Sequence, residues 1–216
     1  MMSVRIFQEK SAVSPSVAYS AKPRERREMK VLFVCTGNIC RSPMGELLFP
    51  HFFHAQGIET NSAGTHGLID SPIDPSSAKL MAQDGIDTSA FCSKRLTPQL
   101  VMDSDLILCF TKHQQKEIVQ LSPRGRRKTF TVQEFAQLCT YCSANNLISG
   151  NTPENRLESI LTNSTLARPM LVQVEDIADP YRKDFNAFQT AHDEMGEAFA
   201  QIAAALDVSP ALHARG

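Results

Sequence analysis

The sequence predicts an α/β fold in which a doubly wound, short parallel sheet of about four strands carries helices on both faces. Short apolar runs of strand length alternate with helix-length segments along the chain, an order typical of parallel sheets that are covered on both sides. Between 185 and 206, apolar residues recur at steps of three and four, so one stripe of a long final helix faces a core.

The first predicted strand is the apolar run 30–36, which ends at Gly37 and has the composition of a buried parallel strand. A helix is predicted over 42–55, because Pro43 suits its first turn and Gly57 follows its end. The later elements keep the alternation. They are a strand at 58–62, a loop at 64–75, a helix at 76–84, a strand at 105–110, a helix at 112–121, a strand at 128–130 and a helix at 132–138.

The chain has 216 residues, enough for one well-buried domain with a tail or an insertion. Residues 1–29 are rich in Ser, Pro, Lys and Arg without a sustained period, so we expect a flexible N-terminal extension. A single domain is predicted over 30–210. Within it, residues 140–174 are polar and longer than most connections in compact domains, and we interpret them as an insertion.

Composition and charge exclude several classes of function. The formal net charge is -1, which gives no electrostatic footprint for nucleic acid or an anionic membrane. No apolar run approaches membrane-spanning length, and Gln8, Glu9 and Lys10 interrupt the apolar core that a secretory signal needs. We therefore expect a cytoplasmic protein without nucleic-acid or membrane partners, whose six cysteines are mostly reduced thiols.

One loop between the first strand and the first helix has residue types suited to anion chemistry. A helix N-terminus after a parallel strand offers unpaired N–H groups to an oxyanion, and this setting favours Cys35 as a thiolate nucleophile. Arg41 can return to the same anion and hold two of its oxygens. A cysteine and an arginine at this spacing also occur by chance. Their placement after a strand, with Gly37 and Asn38 inside the turn, favours the functional interpretation.

The loop sequence, Cys-Thr-Gly-Asn-Ile-Cys-Arg-Ser-Pro-Met at 35–44, resembles the signature loop of the low-molecular-weight protein tyrosine phosphatases. Further segments occur in the family's order. They are Ser-Ala-Gly-Thr at 62–65, Gly-Ile-Asp at 85–87, Asp-Leu-Ile-Leu at 105–108 and Asp-Pro-Tyr at 179–181. The resemblance covers the chain from 30 to 206 apart from the insertion. The signature loop is highly specific, whereas the other segments corroborate it.

The resemblance implies a metal-free phosphatase domain that needs no cofactor and hydrolyses phosphotyrosine through a phosphocysteine intermediate. Cys35 would be the nucleophile, Arg41 would bind the phosphoryl group, and Asp179 would be the general acid and then the base. From the residues alone, Asp179 would be interpreted as part of an Asp-Pro turn. Ser42 would hydrogen-bond the thiolate and Asn38 would hold the strained shape of the loop. The other members of the phosphate-binding loop are Thr36, Gly37, Ile39 and Cys40.

The substrate cleft departs from the family pattern. Many members carry Trp or Tyr in the loop after Ser-Ala-Gly-Thr, but residues 66–72 contain no aromatic side chain and the loop is one residue shorter. Leu68 or His66 would then form one wall of the cleft, and Tyr181 the other. The insertion precedes Asp179 and would either shape access to this cleft or be an idle surface loop, which its length favours.

The other cysteines leave two questions. Cys40 would form a reversible disulfide that shields Cys35 from over-oxidation, or it would be a small buried residue on the inner side of the loop. Cys139 and Cys142 have a metal-like spacing, but no second ligand pair accompanies them. We therefore expect no metal site.

Three other functions are compatible with the loop. A thioredoxin-coupled arsenate reductase would need further cysteines after the third strand, where Cys109 stands alone. Phosphoarginine phosphatases of the family carry Thr at the position of Ile39. The presence of Ile39 in this chain favours an aryl phosphate as substrate. A non-catalytic phosphate-binding module would be expected to lack the nucleophile, the arginine or the acid. The interpretation adopted is a monomeric protein tyrosine phosphatase whose partner is a phosphotyrosine-containing protein, such as a bacterial-type tyrosine kinase.

Overall fold

Four parallel strands form the sheet, as predicted. The computed structural model describes residues 28–53 and 58–206, so residues 1–27 of the predicted extension and the end of the predicted domain lie outside the described part. The strands are β1 Met29–Cys35, β2 Ile58–Gly64, β3 Leu106–Cys109 and β4 Thr129–Thr131. They are parallel and lie in the order β2-β1-β3-β4. Because β2 and β3 flank β1 on opposite sides, the carboxyl end of β1 lies at the switch point where open α/β sheets bind ligands.

Helices cover both faces of this sheet. Within the described residues they are α1 Arg41–Leu48, α2 Pro75–Gln83, α3 Pro98–Asp103, α4 Lys112–Leu121, α5 Val132–Ala144, α6 Pro153–Ala167 and α7 Phe185–Ala205, with 3-10 helices at Phe49–Phe52, Pro123–Lys128 and Arg168–Met170. None of the helices in this part of the chain has the length and apolar character needed to cross a membrane.

The side chains of β1 point alternately into two cores, one on each face of the sheet. Phe33 lies in the larger core, where its ring centroid is 5.4 Å from that of Phe49 and 5.6 Å from that of Phe199. Leu32 and Val34 lie in the smaller core on the opposite face. Phe199 belongs to the apolar stripe predicted for the final helix. The doubly wound fold class is therefore confirmed.

The helix predicted over 42–55 ends earlier, at Leu48. Pro50 lacks the N–H group that a continuing α-helix requires, and the chain proceeds as the 3-10 helix Phe49–Phe52. Residues 54–57, which include the end of the predicted helix, lie outside the described residues.

Two other helices differ from their predictions. α5 continues beyond the predicted end at 138, because Cys139 and Cys142 extend its buried face. The six-residue α3 was not predicted, since a helix of this length is too short to show a period. Its N-terminus is capped by the side chain of Thr97, which accepts the N–H of Leu100.

The predicted insertion, residues 140–174, contains a helix that contributes to the core. Thr152 caps the N-terminus of α6 by accepting the N–H of Asn155. Leu157 and Ile160 of this helix are buried in the larger core, against α5. The expectation of an idle surface loop is therefore wrong, because these side chains complete the core. The assignment of 140–174 as an insertion stays a prediction.

Candidate active site

The predicted phosphate-binding loop joins β1 to α1 at the switch point of the sheet. Cys35 is the last residue of β1 and Arg41 is the first residue of α1. The backbone N–H of Asn38 donates to the Cys35 Sγ at 3.3 Å, so the loop wraps around the sulfur. Backbone N–H groups at the start of a helix stabilise a bound oxyanion.

Asn38 holds the loop in this wrapped shape. Its backbone is in the left-handed region, with φ 57°, which residues other than glycine rarely adopt. Its side-chain amide donates to Ser42 Oγ at 2.9 Å and to Ser62 Oγ at 2.8 Å, and its Oδ1 accepts the N–H of Lys94 at 2.7 Å. Because Asn38 is fully buried, the loss of any of these bonds would leave an unpaired polar group inside the protein.

The network directs the hydroxyl of Ser42 towards the sulfur. Since Ser42 Oγ accepts a hydrogen bond from Asn38, its own proton is available to another acceptor. The Cys35 Sγ lies 3.0 Å away, whereas the carbonyl oxygen of Ala63 lies at 3.5 Å. When Cys35 is a thiolate, the shorter contact takes the proton, which is the bond that the family resemblance implies for Ser42.

Behind Asn38, the network ends on a partly buried carboxylate, that of Glu46, which was not predicted from the sequence. Ser62 accepts from Asn38 and donates to Glu46 Oε2 at 2.5 Å. Burial raises the pKa of Glu46, while the hydrogen bond from Ser62 and the charge of Lys94 lower it by less. The Ser-Ala-Gly-Thr segment at 62–65 pointed to Ser62 in the sequence. No sequence pattern pointed to Glu46, because only the packing of α1 on β2 brings it to the loop.

Arg41 is buried, 2% exposed, and its guanidinium is held at both terminal nitrogens. Nη1 donates to the carbonyl oxygen of Ile177 at 3.0 Å, and Nη2 pairs with Asp179 Oδ2 at 2.8 Å. The ring centroid of Phe110 lies 5.8 Å from Cζ. Within the described residues, the buried Nε has no hydrogen-bond partner. Nε and Nη2 form one edge of the planar fork, which can hold two oxygens of a single phosphoryl group.

Asp179 pairs with Nη2, one of the two nitrogens on the edge of Arg41 described above. Its side chain is 51% exposed, and its Oδ1 accepts the N–H of Tyr181 at 3.2 Å. Two other acidic residues lie near it in sequence, but their side chains accept hydrogen bonds from backbone N–H groups at helix N-termini. Asp176 accepts an N–H at the start of α4, and Asp184 caps α7. Among these acids, the structure brings Asp179 to the arginine.

A cavity of about 190 Å³ joins these groups. The side chains predicted to be catalytic and those predicted to form the cleft walls meet there. The lining consists of Cys35, Thr36, Gly37, Ile39, Cys40, Arg41, His66, Leu68, Asp179 and Tyr181. Leu68 and Tyr181 are 48% and 45% exposed, as expected for side chains at an open mouth. Asn38 and Ser42 lie behind the lining and support it.

Two side chains of α4 support the cavity and were not predicted as site residues. Gln114 Nε2 donates to Thr36 Oγ1 at 3.1 Å, while its Oε1 accepts two backbone N–H groups just before the helix. Glu117 accepts the hydroxyl of Thr65 at 2.9 Å and lies 3.5 Å from His66 Nδ1. Thr111 and Gln114 form a capping box at the start of α4. In a sequence this pattern indicates the end of a helix and gives no indication of a functional site.

Cys40 is buried within the loop, in agreement with the interpretation of a small buried residue on its inner side. Burial raises the pKa of its thiol, and the neighbouring charges of Asp74, Cys35 and Asp179 raise it further. Cys40 and Cys35 are both free thiols, and the protective disulfide between them stays a prediction. Cys109 is buried in β3 and donates to a carbonyl oxygen of β4, so it contributes to packing.

The described residues contain no group of three His, Cys, Asp or Glu side chains placed to hold a metal ion. Cys139 and Cys142, which have the metal-like spacing, are buried in the larger core on α5. Burial raises the pKa of both thiols, which opposes the thiolate forms that zinc requires.

Comparison with known proteins shows which sequences and structures this chain resembles. The family model described as low molecular weight phosphotyrosine protein phosphatase matches residues 30–144. The probable low molecular weight protein-tyrosine-phosphatase EpsP of Ralstonia nicotianae is 33% identical over 161 residues, which cover 74% of this chain and 84% of that protein. A protein-arginine-phosphatase of Bacillus subtilis is 36% identical over 110 residues, 50% of this chain and 73% of that protein. The structure of Vibrio vulnificus Wzb in complex with benzylphosphonate has a TM-score of 0.60 and 26% identity, covering 82% of this chain and 98% of that one.

The fold and these relatives define an enzyme of the cysteine-based phosphatase class. The chain belongs to the low molecular weight phosphotyrosine protein phosphatase family, because the family model matches more than half of it and EpsP matches over most of its own length. The predicted family and enzyme class are therefore confirmed, and the roles of the individual site residues stay predictions.

Proposed function

We propose that this phosphatase hydrolyses phosphotyrosine in proteins, with Cys35 as the nucleophile, Arg41 as the phosphoryl-binding residue and Asp179 as the acid and base. One observation carries the proposal. On the edge of Arg41 formed by Nε and Nη2, the buried Nε has no hydrogen-bond partner among the described residues, and Nη2 pairs with the exposed carboxylate of Asp179. Arg41 and Cys35 line the same cavity. A phosphoryl group can engage both nitrogens once it displaces that carboxylate.

The reaction has two steps. The Cys35 thiolate attacks phosphorus and forms an S–P bond while the bond from phosphorus to the tyrosine oxygen breaks, and the protonated Asp179 gives its proton to the leaving phenolate. A water molecule then attacks phosphorus and loses a proton to the Asp179 carboxylate as the S–P bond breaks. This step releases inorganic phosphate and the thiolate. The loop amides and Arg41 stabilise the phosphoryl oxygens in both steps.

The walls of the cavity favour an aryl phosphate. Ile39, Leu68 and Tyr181 present apolar surface around the mouth, and a phenol ring gains free energy when it leaves water for such a surface. A phosphoarginine side chain would instead bring a guanidinium group that needs hydrogen-bond acceptors when it is desolvated. The absence of a Trp or Tyr after Ser-Ala-Gly-Thr leaves Leu68 as the wall on that side.

The proposed partner is a phosphotyrosine-containing protein, such as a bacterial-type tyrosine kinase, which meets a monomeric enzyme in the cytoplasm. The exposure of Leu68 and Tyr181 supports a protein substrate, because the mouth of the cavity is open and its rim can contact residues that flank the phosphotyrosine.

The nucleophile is tested with p-nitrophenyl phosphate and a metal chelator, under reducing conditions. We expect the wild-type protein to turn over this substrate and Cys35→Ser to be inactive, since a serine hydroxyl cannot replace the thiolate. Cys92→Ser is the matched control, because Cys92 is an exposed thiol outside the cavity lining. Turnover that survives in Cys35→Ser, or requires a metal ion, would contradict the proposed mechanism.

The substrate class is tested by comparing kcat/KM for a phosphotyrosine peptide and for a phosphoarginine-containing protein. We expect the wild type to prefer the phosphotyrosine peptide and Ile39→Thr to lose part of that preference. A wild-type preference for phosphoarginine would overturn the proposed substrate and leave the proposed nucleophile intact.

A further inference from the structure

Both terminal nitrogens of Arg41 are held by one short segment of the chain, residues 176–179. Ile177 supplies the carbonyl oxygen for Nη1, and Asp179 supplies the carboxylate for Nη2. The direction of the arginine and the place of the acid therefore depend on how this segment is attached to the rest of the fold.

The side chain of Asp176 attaches the segment to α4. Its Oδ1 accepts the backbone N–H of Lys112 at 2.9 Å, and Lys112 is the first residue of that helix. The first N–H groups of a helix have no partner within the helix, and a carboxylate at this end is also stabilised by the helix dipole. Thr111 caps the same helix end through the N–H of Gln114, so Asp176 serves an N–H that the local cap leaves open.

The next residue attaches the segment to Phe110, which directly follows β3. Ile177 is buried, and its N–H donates to the carbonyl oxygen of Phe110 at 2.9 Å. Its own carbonyl oxygen then points to Arg41 Nη1. Consecutive contacts at Asp176 and Ile177 thus connect the segment to the start of α4, to the residue after β3 and to the guanidinium.

We propose that Asp176 is a positioning residue, which anchors the acid-bearing segment on α4 so that Ile177 orients Arg41 and Asp179 reaches the leaving group. This inference rests on the roles proposed for Arg41 and Asp179. Without the Asp176 carboxylate, the segment loses its contact with α4 and both groups shift. Small displacements of catalytic groups are costly, since a misplacement of about 1 Å can cost about 10²-fold in rate.

The test compares Asp176→Ala with Asp176→Asn and with Glu175→Ala, an exposed neighbour. Asn keeps an oxygen acceptor for the Lys112 N–H, so it should restore most of the activity. We expect Asp176→Ala to lower kcat/KM for phenyl phosphate about 10-fold. The loss should be smaller for p-nitrophenyl phosphate, because nitrophenolate leaves with less help from an acid. Glu175→Ala should equal the wild type on both substrates.

A second variant removes the same bond from the other side. Lys112→Pro deletes the N–H, and proline is well tolerated at the first position of a helix. Thr111 has φ -139° and ψ 153°, the extended conformation that a residue before proline prefers. Lys112→Pro should reproduce the kinetic effect of Asp176→Ala, and the double variant should be no worse than either single one. This variant also provides the test if Asp176→Ala does not fold.

Two results would overturn the inference. They are wild-type kinetics in folded Asp176→Ala and Lys112→Pro, and an equal loss in Asp176→Ala and Asp176→Asn. A loss that is the same for both substrates would overturn the part of the inference that concerns Asp179, because only the acid distinguishes the two leaving groups. An inactive wild type, or activity in Cys35→Ser, would instead refute the proposed function itself.

Discussion

Replacing Asp179 with asparagine separates the two roles proposed for its carboxylate, acid and partner of Arg41. Asparagine keeps the size of the side chain and an oxygen for the N–H of Tyr181. It carries no negative charge, and it cannot act as a carboxylic acid. We expect D179N to bind inorganic phosphate more tightly than the wild type while hydrolysing a phosphotyrosine peptide more slowly.

The size of the binding effect follows from the ion pair. Arg41 Nη2 and Asp179 Oδ2 are 2.8 Å apart, but the Asp179 side chain is 51% exposed, so water screens the attraction. A pair in this setting contributes about 0.2–1 kcal/mol. Without it, the dissociation constant of phosphate should fall about 1.4- to 5-fold. Loss of the general acid should lower kcat for the peptide by about 10²- to 10⁴-fold.

Isothermal titration calorimetry with inorganic phosphate measures the first effect, and steady-state kinetics measure the second. Glu175→Gln is the matched control, because it removes one negative charge at an exposed position that directly precedes the segment 176–179. Phosphate binding in D179N that is unchanged or weaker would refute the displacement of Asp179 by the phosphoryl group. An equal gain in Glu175→Gln would assign the effect to net charge instead of the ion pair.

Three further predictions concern stability and its coupling to the site. The raised pKa of Glu46 means that its contribution to stability is present below the unfolded pKa and is lost as pH rises through the folded pKa. The free energy of unfolding of Glu46→Gln, measured by urea titration, should therefore increase relative to that of the wild type as the pH rises. A difference between the two proteins that does not change with pH would contradict this. A Cβ on Gly64 would lie 2.5 Å from the Thr36 carbonyl oxygen. Gly64→Ala should therefore lower the free energy of unfolding by about 1–3 kcal/mol and should lower kcat/KM. A variant with the stability and kcat/KM of the wild type would disprove the clash. Ile160→Ala should cost about 2–5 kcal/mol without changing kcat/KM, whereas Leu166→Ala on the same helix should cost little, because Leu166 is 77% exposed.

Much of the fold could be predicted because its signals are local. The helix predicted over 112–121 has the ends of α4, and the structure shows that its N-terminus is fixed locally, by a capping box between Thr111 and Gln114. α6 was not predicted, because its buried residues Leu157 and Ile160 are too few among polar neighbours to show a stripe. The core position of α6 depends on α5, which no pattern within 140–174 reveals.

The site also combines residues that are close in sequence with residues that only packing brings together. The loop at 35–42 could be located because its residues are consecutive, and Asp179 was found through its Asp-Pro-Tyr segment. The supports of these residues could not be found from the sequence. Glu46 and Gln114 reach the loop from α1 and α4, so their roles depend on how the helices pack on the sheet. Ile177 acts through its backbone carbonyl, which no residue type encodes.

The contact between Arg41 and Ile177 spans 136 positions of the chain, which has a consequence for protein synthesis. A ribosome adds about 5–20 residues per second, so the growing chain carries the signature loop for roughly 7–27 seconds before Ile177 is added. During that interval the guanidinium lacks the partners of both terminal nitrogens. The phosphoryl-binding role proposed for Arg41 therefore depends on a contact that can form only after most of the domain has been translated.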